Sequence, residues 1–116
     1  MNYVDFTAGN KDYKLRLNTR GVVGLEKQLG CNPLAIFGDG DTIPTVTVMV
    51  AILHASLQQF NHGITMNDAY DVFDAWLEEG HSTVDFVNII LEIYKASGIV
   101  PTNVENKEEL STIEKN

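Results

Sequence analysis

The chain has 116 residues, 44% hydrophobic and 21% charged, which predicts one folded domain rather than a disordered protein. Its 16 acidic residues outnumber the 8 basic ones, and a net charge of −8 disfavours nucleic acid as a partner because it repels a phosphate backbone. The single cysteine excludes an internal disulfide, and no apolar stretch approaches the roughly 20 residues that cross a bilayer. Without a basic region followed by an apolar run at the N-terminus, we expect no signal peptide and a cytoplasmic protein.

Residues 3–17 predict a β-hairpin. Tyr13, Leu15 and Leu17 alternate with polar residues after the turn-like sequence GNKD at 9–12, which is the period-two pattern of a half-buried strand. Because a two-stranded hairpin is only marginally stable in water, its apolar face must pack against the rest of the chain.

A helix is predicted over about 19–30, followed by a short helix over 33–37. Asn18 or Thr19 can cap the first helix, Gly30 stands where a left-handed C-cap is favoured, and Pro33 prevents continuation.

Two glycines, Gly21 and Gly24, interrupt the first of these helices. Each weakens a helix by roughly 1 kcal/mol relative to alanine. We expect close approach of the hairpin backbone to compensate, since no phosphate-binding glycine motif is present.

Three further helices are predicted over about 44–60, 66–79 and 83–97. The first contains valines and threonines that favour strand, but its length and helical stripe favour a helix, with Thr42 as its cap. The other two begin with a hydroxyl residue followed three positions later by an aspartate, the pattern of a capping box, at Thr65/Asp68 and Ser82/Asp85.

These segments predict an α+β fold, mainly α, with an N-terminal β-hairpin packed on a small bundle of four to five helices. Residues 1–100 are expected to form a single globular domain. Residues 101–116 lose the apolar periodicity and are expected to be a flexible polar tail.

The last predicted helix is apolar around most of its circumference. Such a helix is either central to the fold or buries a second face against another chain, by self-association or partner binding. Its candidate partner-binding residues are Phe86, Ile89, Ile93 and Tyr94, and the competing interpretation is that they belong to the core.

Candidate catalytic and metal-binding groups are sparse. The Asp39-Gly40-Asp41 sequence lacks the further ligands of a calcium loop, since its twelfth position is Val50. The histidines 54, 62 and 81 lack the spacing of a helical zinc pair, and Cys31 next to a helix C-terminus is expected to be a packing residue. We therefore expect no catalytic residue, no metal and no cofactor.

The order and content of these segments also carry a family pattern. The hairpin runs into YKLRLNTRGVVGLEKQLGCNPLAIFG, with Leu25-Glu26 and Leu29-Gly30, and a later helix ends in Trp76-Leu77-Glu78 before Gly80. Over about residues 3–98 this resembles the tail assembly chaperones of long-tailed bacteriophages, in the branch that includes the gene-transfer-agent tail component.

The resemblance implies a non-enzymatic protein that binds the long, largely helical tape measure protein, keeps it soluble and helps recruit tail tube subunits. Such a protein acts in the cytoplasm of the bacterial host and is not expected in the mature virion. The alternative is a structural tail component of a phage or prophage virion, a tube or connector subunit, which should be dominated by strands.

Overall fold

The structure, a computed structural model, describes residues 2–38 and 43–105. In chain order it contains strands β1 (Val4–Ala8) and β2 (Lys11–Leu15), helix α1 (Thr19–Leu29), a short 3-10 helix (Pro33–Phe37), and helices α2 (Val46–Leu57), α3 (Met66–Glu78) and α4 (Thr83–Ala96). The predicted fold class is confirmed, because an antiparallel hairpin is followed by four α-helices.

The hairpin packs its apolar face on the helices. Its strands pair with Phe6 opposite Tyr13, and the turn residues Gly9 and Asn10 have φ values of 60° and 64°. Positive φ at both positions is what a two-residue type I′ turn requires, and glycine and asparagine adopt it most readily. The Phe6 ring centroid lies 5.6 Å from that of Trp76 on α3. The fully buried residues of the hairpin share this face: Phe6, Ala8 and Leu15.

Helix α2 lies at the centre of the fold. It contacts α1, α3, α4 and β2, and it is buried on nearly every side through Met49, Val50, Ala51, Ile52, Leu53, Ser56 and Leu57. A helix that is apolar all round needs such an enclosed position. Its one buried polar side chain is satisfied locally, since the Ser56 hydroxyl donates to the Leu53 carbonyl oxygen at 3.0 Å.

The helix ends follow the local signals in the sequence, with one exception. Gly30 has φ 72° and caps α1, and both predicted capping boxes are formed. Helix α2 begins at Val46 instead of 44, because the Thr45 hydroxyl accepts from the Val48 backbone N–H at 3.2 Å. The expected cap, Thr42, lies outside the described residues.

Two hydrogen bonds fasten the end of the hairpin to the ends of distant helices. The Arg16 backbone N–H donates to the Ser56 carbonyl oxygen at 3.0 Å, near the end of α2. The Leu17 backbone N–H donates to Ser97 Oγ at 2.9 Å, directly after α4. These two hydrogen bonds, which we call the hairpin clamp, join residues that are 40 and 80 positions apart, and they fix the start of α1 against α2.

The chain after α4 remains attached to the core for a few residues. Val100 and Val104 are buried, with 4% and 3% of their surface exposed. Val104 falls within the segment that we predicted to be a tail, residues 101–116, and positions 106–116 of that segment lie outside the described residues.

Candidate functional site

The four residues predicted to bind a partner lie in and around the core. Phe86, Ile93 and Tyr94 have 0% of their surface exposed, and Ile89 is half-buried. Three of the four therefore offer no surface to a partner in the folded chain. The reason is that β1 covers one side of α4 while α2 covers another, so most of the apolar surface of α4 is buried within this chain, whereas Val84 near its start stays exposed.

Tyr94 shows how completely this region is internal. Its hydroxyl donates to the Pro33 carbonyl oxygen at 2.9 Å, and its ring lies 6.2 Å from that of Phe37 in an edge-to-face arrangement. Burial raises the pKa of the Tyr94 phenol well above its usual value. The residue is a structural anchor for the 3-10 helix.

A different surface feature stands out: an open cleft of about 760 Å³ between α1 and the C-terminal half of α2. Most of its exposed surface is apolar, and it is large enough to hold part of a peptide or helix. The cleft is lined by Asn18, Thr19, Arg20, Gly21, Gly24, Leu25, Gln28, His54, Ala55, Gln58, Gln59 and His62.

The α1 wall of the cleft contains both glycines that the sequence left unexplained. A Cβ on Gly21 would lie 3.3 Å from Asn18 Oδ1, 3.6 Å from Leu17 Cδ2 and 3.7 Å from the Ala55 carbonyl oxygen, so a side chain here would crowd the helix cap, Leu17 and α2. The predicted hairpin therefore approaches Gly21 through the Leu17 side chain, whereas the nearest backbone atom among these three belongs to α2 and not to the hairpin.

Gly24 has no such reason within the described residues. A Cβ built at this position meets nothing within 4 Å, and the residue is exposed. A glycine inside a helix costs stability relative to alanine, and no contact with the described part of the chain compensates for it. Gly24 leaves a gap in the wall of the cleft that an outside group can approach closely.

The α2 wall is held in place by bonds to the following loop. His54 Nε2 lies 3.1 Å from the Ile64 carbonyl oxygen, which also accepts from Gln58 Nε2 at 2.8 Å. A carbonyl can only accept, so the proton of a neutral His54 ring is on Nε2 and Nδ1 is an acceptor. His54 therefore anchors the loop after α2.

The charge of the cleft is opposite to that of the chain. Among the described residues, its lining contains no aspartate or glutamate, and Arg20 is the one permanently charged side chain. Arg16 lies beside it, with Nη1 donating to Gln59 Oε1 at 3.2 Å and Nε buried without a hydrogen-bond partner. The one ion pair within the described residues joins Lys95 and Glu92, so neither arginine is paired with a carboxylate there.

The remaining candidate groups do not assemble into a reactive centre in the described part of the chain. His54 and His62 both line the cleft, whereas His81 stacks on the Trp76 ring at 4.4 Å and Cys31 is exposed elsewhere. Within residues 2–38 and 43–105, no group of three or more histidine, cysteine or acidic side chains is placed to hold a metal ion. The Asp39-Gly40-Asp41 sequence lies outside these ranges.

No helix in the described ranges is both long enough and apolar enough to cross a membrane. Neither a curated protein nor a solved structure matches the chain. The sequence model of a family of unknown function, DUF6096, matches residues 4–114, which is nearly the whole chain. The protein therefore belongs to the family DUF6096.

Proposed function

We propose that the protein is a tail assembly chaperone of a long-tailed bacteriophage or prophage, and that it holds helical segments of the tape measure protein in the cleft between α1 and α2. The observation that carries this proposal is Gly24, a helix-weakening residue in the cleft wall with no structural role inside the described chain. The order of segments that resembles such chaperones supplies the partner.

The mechanism requires binding without chemical turnover. A largely helical tape measure protein exposes apolar stripes before tube subunits surround it, and an apolar cleft can cover such a stripe by helix-in-groove docking. The net charge of −8 keeps the complex soluble. Release of the segment would coincide with recruitment of the tail tube protein, so the chaperone would remain in the host cytoplasm and be absent from the mature virion.

A structural tail component is the weaker candidate. A tube subunit needs enough strands to build a continuous sheet around a ring, and the described residues contain a single two-stranded sheet. Mass spectrometry of purified virions distinguishes the two roles. Abundant protein in intact particles would favour the structural role over the chaperone.

Co-expression with a tape measure protein, to be sought among the neighbouring genes, tests the proposal directly. The wild-type chain should keep the tape measure protein in the soluble fraction and co-elute with it. Gly24→Leu, which fills the gap in the cleft wall, should reduce the soluble fraction. Val23→Leu is the matched control, because Val23 is exposed on the same helix but does not line the cleft. An insoluble tape measure protein with the wild-type chain would contradict the proposal.

A further inference from the structure

We propose that the cleft between α1 and α2 is built for an acidic, amphipathic helix, that is, a segment with one apolar stripe flanked by glutamates or aspartates. The inference rests on the proposed function and names the chemistry of the partner segment. It is carried by the charge of the cleft and by its shape.

The charge of the lining selects against basic segments. Among the residues that the structure describes, no acidic side chain lines the cleft, whereas Arg20 does, and Arg16 bonds to Gln59 of the lining. A lysine or arginine entering the cleft would find no carboxylate and would meet Arg20 instead. A carboxylate would meet a guanidinium group that has no carboxylate partner in the described chain.

The polar groups on the rim can bind carboxylates through hydrogen bonds as well as through their positive charge. A guanidinium group presents a planar fork of donors that matches a carboxylate with two parallel hydrogen bonds. The side-chain amide of Gln28 borders the same space and can donate a hydrogen bond. Negatively charged side chains of a bound helix can therefore be satisfied at the rim without displacing any ion pair.

The shape of the cleft suits a helix with an apolar stripe. Half-buried Ala55 contributes apolar surface above the buried Leu25, and Gly24 removes the side chain that would otherwise hold a second helix away from α1. Packed helices lie about 8–10 Å apart, with the shorter distances reached where small residues face each other. An apolar stripe of the ligand would contact this surface while its flanks reach the arginines.

A second copy of this chain is the competing occupant, because α3 exposes Asp71, Asp74 and Glu78. However, the apolar stripe of α3, which includes Phe73 and Trp76, is already buried in its own core. The exposed side of α3 is therefore mainly acidic, and apart from Tyr70 it offers little large apolar surface. A partner protein whose apolar stripe is free fits the cleft better.

Fluorescence polarisation with the full chain tests the inference. The probe is a dye-labelled amphipathic peptide of about 20 residues, with leucines along one stripe and glutamates on both flanks, long enough to form a helix. Its twin has every glutamate replaced by lysine. The acidic peptide should bind at least about tenfold more tightly than its twin at roughly 0.1 M salt.

Charge reversal in the cleft should invert this preference. Arg20→Glu should weaken binding of the acidic peptide by about tenfold and strengthen binding of the basic twin, because an attractive contact becomes repulsive. Lys27→Glu is the matched control, since it makes the same charge change on α1 at a position that does not line the cleft. It should leave both affinities within about twofold.

Four results would overturn the inference. One is equal affinity for the two peptides, and another is binding of the acidic peptide that Arg20→Glu does not change. The third is binding of neither peptide. A peptide-free dimer in light scattering that Arg20→Glu abolishes and Lys27→Glu preserves would assign the cleft to a second copy and equally overturn it.

The experiments test the chaperone proposal and the charge inference independently. If the wild-type chain keeps the tape measure protein soluble but shows no preference for the acidic peptide, the function stands and the charge inference falls. If the acidic peptide binds with the predicted Arg20 dependence but the tape measure protein stays insoluble, the cleft chemistry stands and its occupant is another protein.

Discussion

Replacing Gly24 with alanine should stabilise the protein, although it fills part of a surface that we assign to binding. Gly24 lies inside α1 and is absent from the glycines with positive φ. Its added methyl group meets nothing within 4 Å. The full difference in helix propensity between glycine and alanine, about 1 kcal/mol, should therefore appear as a higher free energy of unfolding.

Two other glycines near α1 serve as controls, because replacing them with alanine should change the free energy of unfolding differently. Gly21→Ala gains the same propensity but places its Cβ 3.3 Å from Asn18 Oδ1, so strain at the helix cap should cancel much of the gain. Gly30→Ala forces alanine to adopt φ 72° at the end of α1, which should cost about 1–2 kcal/mol.

Urea titrations followed by far-UV circular dichroism measure all three variants on one scale. If the free energy of unfolding falls with urea concentration at the same slope in the variants and the wild type, only stability has changed. In thermal melts, the gain for Gly24→Ala corresponds to an increase in Tm of about 4 °C for a domain of this size. A Gly24→Ala variant that is no more stable than the wild type would mean that this glycine has a role inside the fold, and the argument that it serves an outside partner would fail.

Two further predictions concern the core and the response to pH. Tyr94→Phe keeps the ring but removes the buried hydrogen bond to Pro33, and should lower the free energy of unfolding by about 1 kcal/mol in urea titrations; no loss would show that this bond does not stabilise the 3-10 helix. The Thr65 backbone N–H donates to the Asp68 carboxylate and lowers the pKa of Asp68 below its ordinary 3.8. Ionised Asp68 therefore stabilises the fold above pH 3.8, and this contribution is lost as the pH falls through the pKa of the folded state. Asp68→Asn should therefore have a lower Tm than the wild type at pH 7, and the difference in Tm should shrink below pH 3.8. A difference in Tm that does not depend on pH would contradict a stabilising role of the ionised carboxylate.

Local signals predicted the helix ends well because capping chemistry acts within one turn. Ser82 and Asp85 bond each other's backbone N–H groups, and Gly30 adopts the left-handed conformation that α1 needs at its end. At α2, we expected Thr42 to cap the helix. In the structure Thr45 is the cap, and it sets the first turn of the central helix.

Burial was harder to predict because α2 and α4 are both rich in apolar residues. Composition indicated α4 as the helix that is central or unpartnered, whereas α2 has neighbours on the most sides. That difference depends on how the hairpin and α1 pack, which periodicity along one segment does not encode. Phe86, Ile93 and Tyr94 were therefore candidates for a surface that the fold does not leave exposed.

Only isolated residues of the cleft could be identified from the sequence. Gly21 and Gly24 were conspicuous because glycine weakens a helix, and this was the available signal. The opposite wall, around His54 and Gln58, lies some thirty positions further along the chain and becomes a wall only when α1 packs against α2. The absence of acidic residues from the cleft is likewise a property of two segments brought together.

The hairpin clamp has a consequence for how the protein is made. Leu17 donates to a hydroxyl on Ser97, 80 positions later, so the ribosome must synthesise almost the whole domain before this bond can form. At roughly 5–20 residues per second, the delay is about 4–16 s. During that time the apolar face of the hairpin lacks part of its cover, and a nascent chain that stalls before Ser97 would be prone to aggregation.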